Sequence, residues 1–232
     1  MERKNSGEEY RSKLRRKYLE TGIDSMTDLE ILELFLFYAV KKDEVKSTAE
    51  RLLDYFGGNL GRVFAADINE LCKVEGISRN SAALFHLVYD SAVAVRQSRN
   101  KDVKYIKSTD EAIRYCENML GGLVYERIIV ITLNEENGII SCTEVAEGTV
   151  NVTGVEFVKI IKCIINDSAS SVIIAHNHPM GTSRPSSADI IFTKALYASL
   201  VSAGVEMKDH IIVGKGESLS MKNDDECAIC FI

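Results

Sequence analysis

The spacing of apolar residues changes half-way along this chain. Between residues 25 and 96, apolar side chains recur every three or four positions, as in residues 28–40 (DLEILELFLFYAV), and this spacing is typical of amphipathic helices. From residue 126 onward, β-branched runs such as residues 127–133 (RIIVITL) indicate strands instead. This change of period predicts a small all-helical domain followed by a mixed α/β domain.

A polar, charged stretch at residues 97–110 separates the two patterns and is interpreted as a linker. We therefore expect a helical domain over residues 1–100 and an α/β domain over residues 101–232. Each is long enough to bury a core of its own. The first 20 residues are rich in charge, and their start is expected to be poorly structured.

The helical half contains a short turn that is typical of a helix–hairpin–helix unit. Residues 74–78 (VEGIS) join predicted helices at residues 67–72 and 81–95. Backbone N–H groups beside Gly76, together with Arg79, are candidates for contacting a nucleic-acid phosphate. Such a unit usually has a second glycine where this chain has Ser78, so a plain helical hairpin used for packing or partner binding remains an equal alternative.

Capping signals mark further helices. Residues 47–56 are predicted to be a helix with Ser47 as the N-cap and Glu50 at the capping-box position. Residues 108–120 repeat that pattern with Ser108 and Glu111. Helices are also predicted at residues 154–166 and 186–203.

The strands of the second half form a recognisable pattern. Residues 127–133 and 139–145 flank an Asn-Gly turn signal and predict a β-hairpin. Residues 171–175 (SVIIA) are almost wholly apolar and are predicted to be a central strand, and residues 210–213 another strand. An exposed hairpin edge could pair two chains into a dimer.

Composition narrows the function classes. The formal net charge is −6, so the strongly basic balance of many nucleic-acid-binding proteins is absent. No apolar run is long enough for a signal peptide or a membrane span, and we expect a cytoplasmic protein with no membrane partner. Of the six cysteines, Cys227 and Cys230 form a C-x-x-C pair that could bind metal or cycle redox, although a chance spacing is favoured and its role is left open.

Two of the four histidines follow the apolar strand directly. His176 and His178 are two residues apart, so in extended backbone both imidazoles point the same way. Asp189 follows after a loop that holds both prolines of the chain, Pro179 and Pro185, and it falls in the first turn of the next helix. Two histidines and one aspartate leave a tetrahedral position open for water, which predicts a catalytic site with one Zn²⁺ per chain.

Each of these features has a plainer explanation. An acid three residues after Ser186 can belong to a helix cap, and histidines at the end of a strand can form a solvated corner. These explanations do not account for two imidazoles, two prolines and an acid converging within fourteen residues. A metal site is therefore the favoured interpretation.

The motif resembles a known family. Residues 176–189 (HNHPMGTSRPSSAD) match the H-x-H-x(7)-S-x-x-D core of JAMM proteins, and resemble most closely the RadC branch, except that Met180 stands where that branch usually has serine. Residues 148–150 (GTV), 209–214 (DHIIVG) and 74–77 are also similar to RadC segments. The resemblance implies a cytidine-deaminase-like MPN/JAMM domain of the α/β (α+β) class, with a mixed sheet and flanking helices. Met180 is not a ligand position, so it is expected to alter only the loop surface.

The resemblance also implies a zinc metallopeptidase in which a glutamate serves as general base. Glu126 at the start of the first strand is the first choice, Glu144 on the return strand is the alternative, and Glu147 is a weaker third candidate. Ser186 would donate a hydrogen bond to the oxyanion of a tetrahedral intermediate. His210 is expected to be a core histidine or to support a ligand.

The expected function is hydrolysis of an amide bond in an unidentified peptide or isopeptide-linked protein. The alternative is a DNA- or partner-binding protein of the DNA repair or recombination type, in which the metal site is structural or vestigial and DNA contacts the N-terminal helices. A helical adaptor without chemistry is a third possibility.

Overall fold

The computed structural model describes residues 3–41, 44–147, 154–179 and 181–232. Its internal contacts divide the chain into two compact units, Met1–Ala94 and Val95–Ile232. Predicted features at residues 148–150 and at Met180 lie outside the described residues.

The first unit is helical in its described part. Leu32, Leu36, Leu52 and Phe85 are almost fully buried at its centre, so each helix contributes one apolar face to a single core. Its helices are α1 (Arg3–Thr21), α2 (Asp28–Leu36), α3 (Val45–Tyr55), α4 (Leu60–Ala65), α5 (Ile68–Leu71) and α6 (Arg79–Gln97). The last residues of α6, after Ala94, are counted with the second unit.

Some local predictions for this unit are wrong. Helix α3 begins at Val45, with Glu44 at the N-cap position, and not after Ser47. Val45 is buried, so the helix must already have formed where Val45 enters the core. The Ser47 hydroxyl instead donates to the carbonyl oxygen of Glu44. The expected poorly structured start is helical from Arg3, and α4 was not predicted at all.

The second unit is a mixed α/β domain, which confirms the predicted fold class. Its described strands form a five-stranded sheet in the order β2-β1-β3-β4-β5, in which β3 is parallel to β4 and all other neighbours are antiparallel. The elements are α7 (Thr109–Leu120), β1 (Arg127–Leu133), β2 (Ile139–Glu147), α8 (Gly154–Asp167), β3 (Ser171–Asn177), α9 (Ser187–Ser202), β4 (Glu206–Val213) and β5 (Ser218–Ser220).

The sheet register brings one end of several strands together. Ile128 at the start of β1 pairs with His176 near the end of β3, and His176 pairs with Ile212 near the end of β4. The central position of β3, predicted from its apolar run, is confirmed by its burial along the whole strand. Side chains that follow β3 therefore meet the start of β1 and the end of β4 at the same edge of the sheet.

The C-terminal cysteine pair belongs to the packing of the second unit. Cys227 and Cys230 are buried beside Ile212 and Met221. Burial raises the pKa of the Cys227 thiol to about 11 and also raises that of Cys230. Both side chains thus pack in the hydrophobic core, and a metal or redox role for the pair stays untested.

Two further features of the described residues bear on partners. Strand β2 lies at an edge of the sheet, as the dimer prediction requires, although pairing of two chains there stays a prediction. Among the helices that the structure describes, none combines the length and hydrophobicity needed to cross a bilayer.

Candidate metal centre

Three side chains meet at the edge of the sheet where β3 ends. His176 lies on β3, His178 follows it by two residues, and Asp189 lies in the first turn of α9. His176 and Asp189 are buried, while His178 is partly exposed. In the described part of the chain these residues form a group that could hold a metal ion.

The separations of their ligand atoms fit a tetrahedral metal. The two histidine Nε2 atoms are 3.0 Å apart. His176 Nε2 lies 3.2 Å from Asp189 Oδ1, and His178 Nε2 lies 3.6 Å from Asp189 Oδ2. Ligands at about 2.0–2.2 Å from a tetrahedral Zn²⁺ would be about 3.3–3.6 Å from each other, so the observed triangle is close to the size that one small cation requires.

The proton positions agree with this geometry. His178 Nδ1 lies 2.9 Å from the carbonyl oxygen of Thr182, which can only accept, so Nδ1 carries a proton. In the neutral ring, Nε2 then presents a lone pair towards the other two ligands. A ring nitrogen in this arrangement binds a metal directly.

The Asp189 carboxylate favours a positive charge in the space between the three side chains. Burial alone raises the pKa of Asp189, but its close interactions with His176 and His178 outweigh burial and hold that pKa well below its usual range. Asp189 in turn raises the pKa of the His178 imidazole, against the opposing effect of burial. The three side chains thus stabilise a cation between them, whether a proton or a metal ion.

Ser186 orients the carboxylate of Asp189. The Ser186 N–H and hydroxyl donate to Asp189 Oδ2 at 2.7 and 2.6 Å, and the Asp189 N–H donates back to the Ser186 hydroxyl. This is a capping box at the start of α9, as the helix-cap interpretation of the motif predicts, and it is compatible with Asp189 as a metal ligand, which stays a prediction. The other oxygen, Oδ1, faces His176.

A buried histidine lies behind His176. His210 on β4 places its Nε2 atom 2.9 Å from His176 Nδ1, and its own Nδ1 atom 2.7 Å from the Thr193 hydroxyl. Burial, together with the nearby His176, lowers the pKa of His210 to about 3, so this ring is neutral. His210 is thus a buried core histidine, as its sequence context predicts, and it contacts His176 without belonging to the candidate metal-binding group.

The loop that carries His178 is fixed by the turn after β4. Gly214 packs so closely on this loop that an added Cβ would lie 2.4 Å from the Ser183 nitrogen. The Lys215 N–H donates to the Gly181 carbonyl oxygen, and the Ser183 N–H donates to a carboxylate oxygen of Glu217. These contacts hold the Thr182 carbonyl against His178.

The glutamates named from the sequence lie in different surroundings. Glu126 lines the same cavity as His176, His178 and Asp189, together with Ser186. Glu144 lies on β2, where its carboxylate is 3.2 Å from Arg127 Nη1. The structure therefore brings Glu126 to the metal centre and pairs Glu144 with an arginine, while the side chain of Glu147 is outside its described part.

Comparison with known proteins agrees with this architecture. The family model of the RadC-like JAB domain matches residues 106–226, which is more than half of the chain. The chain belongs to the RadC family. A second model, the UPF0758 N-terminal domain, matches residues 9–83. The sequence resembles RadC proteins in this domain and in the N-terminal helical region, and both parts of that resemblance are thereby confirmed.

Relatives of this RadC chain match it over most of their length. A UPF0758 protein of Rhodobacter capsulatus is 34% identical over 90% of this chain and 97% of its own length. A UPF0758 protein of Fusobacterium nucleatum is 31% identical over 94% of this chain and 96% of its own length. A UPF0758 protein of Ruegeria pomeroyi is 31% identical over 92% and 95%, respectively.

The predicted nucleic-acid residues lie in the helical unit of this RadC protein. Gly76 has a positive φ of 95°, and an added Cβ would lie 2.6 Å from the Thr48 hydroxyl oxygen, so the turn requires glycine. Arg79 is exposed as the first residue of α6. The hydroxyl of Ser78 accepts from the Ser81 N–H and so caps that helix. DNA binding by this turn stays a prediction.

Sequence reasoning missed most of the supporting residues of the RadC site. Thr193, Thr182, Gly214 and Glu217 all contact a ligand or the loop that carries one, and none was singled out. Thr193 lies four residues after Asp189 on the same helix, which is the one signal that could have identified it. The contacts of Thr182, Gly214 and Glu217 depend on the pairing of β4 with β3, which cannot be read from the spacing of residues within a short segment of the sequence.

Proposed function

We propose that this RadC-family protein is a zinc-dependent hydrolase of amide bonds that acts on a peptide or isopeptide-linked protein. The observation that carries the proposal is the convergence of two histidine Nε2 atoms and a carboxylate within 3.6 Å of each other. Glu126, a possible proton carrier, lines the same cavity.

Zinc fits the donor set best. Two imidazoles and one carboxylate provide borderline nitrogen and oxygen ligands, whereas Mg²⁺ and Ca²⁺ prefer oxygen alone. Three protein ligands leave one position for water or substrate, as in catalytic zinc sites. When bound, Zn²⁺ supplies Lewis-acid chemistry, because it lowers the pKa of water and polarises a carbonyl oxygen.

The proton transfers and the binding of the metal would be carried out by side chains of this protein. The Glu126 carboxylate would take a proton from the attacking water and return it to the leaving nitrogen. His176, His178 and Asp189 would hold the metal. The single hydroxyl proton of Ser186 is donated to Asp189. The geometry therefore supports a role for Ser186 in orienting Asp189. Stabilisation of an oxyanion by Ser186 stays a prediction.

The cavity limits what can reach the metal. It has a volume of about 130 Å³, and the residues that line it besides the three candidate metal ligands are Glu126, Ile128, Ser186, Ala188, Phe192 and His210. A space of this size accepts one amide group and its neighbouring atoms. A substrate would therefore present an extended or exposed segment, as a peptide tail or an isopeptide branch does.

The first test is metal content. Purified wild-type protein should contain about one zinc per chain by mass spectrometry, and His178→Ala and Asp189→Ala should lose it. His86→Ala is the matched control, because His86 lies on α6 and contacts Asp90 instead of the metal centre. A wild type that takes up no zinc, even after zinc is added back, would contradict the proposal.

The second test separates catalysis from metal binding. Glu126→Gln should retain zinc but hydrolyse peptides about 100-fold or more slowly, because general acid–base catalysis contributes about 10²–10⁴-fold. Activity is measured on a library of peptides from a digested proteome, with new amino termini identified by mass spectrometry. Glu144→Gln is the control and should stay within about twofold of the wild type, because an exposed ion pair contributes little.

A zinc-loaded wild type that cleaves no amide bond would favour the alternative, a binding protein with a structural metal. DNA binding that weakens with salt and is lost in Arg79→Ala would then identify the helical unit as the functional part.

A further inference from the structure

A chain of buried hydrogen bonds runs from the metal centre into the core of the second unit. His176 Nδ1 is 2.9 Å from His210 Nε2, and His210 Nδ1 is 2.7 Å from the Thr193 hydroxyl oxygen. The Thr193 hydroxyl in turn is 2.6 Å from the carbonyl oxygen of Asp189. The chain thus starts at one metal ligand and returns to the backbone of another.

This chain of hydrogen bonds is shielded from solvent. His210 is only 1% exposed and Thr193 is fully buried. The atoms around them are the Phe192 ring, whose centroid is 6.0 Å from that of His210, and the Met221 sulfur, 3.6 Å from the Thr193 hydroxyl oxygen. Since no charged group takes part in the chain beyond the metal ligands, the direction of each bond is set by the bonding partners themselves.

Two directions are possible in principle. If the Thr193 hydroxyl donated to His210 Nδ1, then His210 Nε2–H would donate to His176 Nδ1. The neutral His176 ring would then carry its proton on Nε2 and could not bind a metal through that atom. If Thr193 donates elsewhere, every bond is reversed and His176 Nε2 presents its lone pair.

The short contact to Asp189 decides between them. A backbone carbonyl oxygen can only accept, so the single Thr193 proton is committed to it. The hydroxyl oxygen must then accept from His210 Nδ1–H, and His210 Nε2 must accept from His176 Nδ1–H. His176 Nε2 is left unprotonated where it faces His178 and Asp189.

From this relay we infer that Thr193 and His210 are positioning residues that fix the metal-binding tautomer of His176. Neither residue belongs to the candidate metal-binding group, and they contact it through His176 and the Asp189 backbone. The carbonyl oxygen that accepts the Thr193 proton belongs to Asp189. Helix α9 therefore supplies the proposed carboxylate ligand and also determines which nitrogen of His176 carries a proton. The inference rests on the proposed metal site but not on hydrolase activity.

Zinc affinity of the full-length protein tests this relay. His210→Phe keeps the ring volume but removes the acceptor for His176 Nδ1, and it should weaken zinc binding about 10- to 100-fold in competition with a chromophoric chelator. His210→Gln restores an acceptor in a similar position and should recover most of the loss. An unchanged zinc affinity in folded His210→Phe would overturn the inference.

Thr193→Val provides an independent test in case His210→Phe does not fold. Valine is similar in shape but cannot accept from His210, so zinc binding should weaken, and Thr193→Ser should restore it. Thr132→Val is the matched control, because Thr132 is equally buried on β1 but bonds to Asp167 and Ser141, at the far end of the strand. Equal effects of Thr193→Val and Thr132→Val on zinc binding would assign Thr193 a merely structural role.

Nitrogen-15 NMR of the imidazoles reads the tautomers directly. The chain has only four histidines. In the wild type the His210 proton should be on Nδ1, and in Thr193→Val both tautomers should be populated. A His210 proton on Nε2 would refute the relay even if zinc binds, whereas a zinc-loaded wild type that shows the Nδ1 proton but cleaves no peptide would refute only the proposed hydrolase activity.

Discussion

Gly214 illustrates how a single missing side chain can position a metal ligand. An added Cβ would lie 2.4 Å from the Ser183 nitrogen and 2.7 Å from the Thr182 carbonyl carbon. Those are backbone atoms of the loop whose carbonyl accepts from His178 Nδ1. Gly214 is thus required by the close approach of two backbones, without any need for an unusual φ.

Gly214→Ala should therefore weaken zinc binding by about tenfold or more, because the loop must move and Thr182 can no longer hold His178. Zinc affinity is measured by chelator competition, beside Gly181→Ala. Gly181 is on the same loop, and its added Cβ would make only an ordinary contact, 3.7 Å from the His178 Cβ. If both variants bound zinc as the wild type does, the loop would not need this support.

At the residue scale, the sequence predicts the ligands but not their supports. His176, His178 and Asp189 fall within one short motif, so local spacing is enough to identify them. His210 is 34 positions after His176 and meets it only through the parallel pairing of β3 with β4. The position of a proton on His176 is therefore a property of tertiary structure.

At the element scale, the start of α9 serves two purposes. Ser186 caps the helix by accepting from the Asp189 N–H, and its own N–H and hydroxyl hold a carboxylate oxygen of Asp189. The capping box therefore orients the carboxylate of Asp189, a proposed metal ligand, with the same bonds that begin the helix.

Ser186→Ala should lower the free energy of unfolding of the metal-free protein by about 1 kcal/mol, the usual cost of losing an N-cap. It should also weaken zinc binding, because one of the bonds that orient Asp189 is lost. Urea denaturation and chelator competition measure the two effects. Ser108→Ala is the control, since Ser108 caps α7 by accepting from the Glu111 N–H and touches no ligand.

For that control we expect a similar loss of stability with unchanged zinc affinity. If Ser186→Ala impaired peptide cleavage but neither stability nor zinc binding, the oxyanion role predicted from the motif would be favoured over the cap.

The elements differ in how well the sequence predicts them. Strand β1 has the predicted bounds, because its β-branched run is followed by a strong turn signal. Helix α1 was missed because about half of its 19 residues are charged and, among residues 9–21, whose burial is described, only Leu14 is buried. The Ser47 cap was wrong because burial of Val45 outweighed the local capping signal.

At the scale of the whole molecule, each unit has its own core. The helical core centres on residues such as Leu36 and Leu52, and the α/β core on residues such as Ile174 and Leu196. The three candidate metal ligands and the described residues that hold them lie within Val95–Ile232. The change of hydrophobic period seen in the sequence thus corresponds to two separate cores.

Leu36→Ala should destabilise the helical unit by about 2–5 kcal/mol, because Leu36 is fully buried and its truncation leaves a cavity. Zinc affinity should stay within about twofold of the wild type. Hydrogen exchange of peptides from α2 and α3 reports the loss of stability, and chelator competition reports the affinity. A tenfold loss of zinc affinity in this variant would contradict the assignment of the site to the second unit.

The order of the chain has a consequence for biosynthesis. A nascent polypeptide that extends only to Asp189 already contains His176 and His178, but it lacks His210 and the turn at Gly214. Parallel pairing of β3 with β4 must wait until β4 has been synthesised and has left the ribosome, since β4 follows Asp189 in the chain. The complete geometry of the proposed metal site can therefore form only late in synthesis.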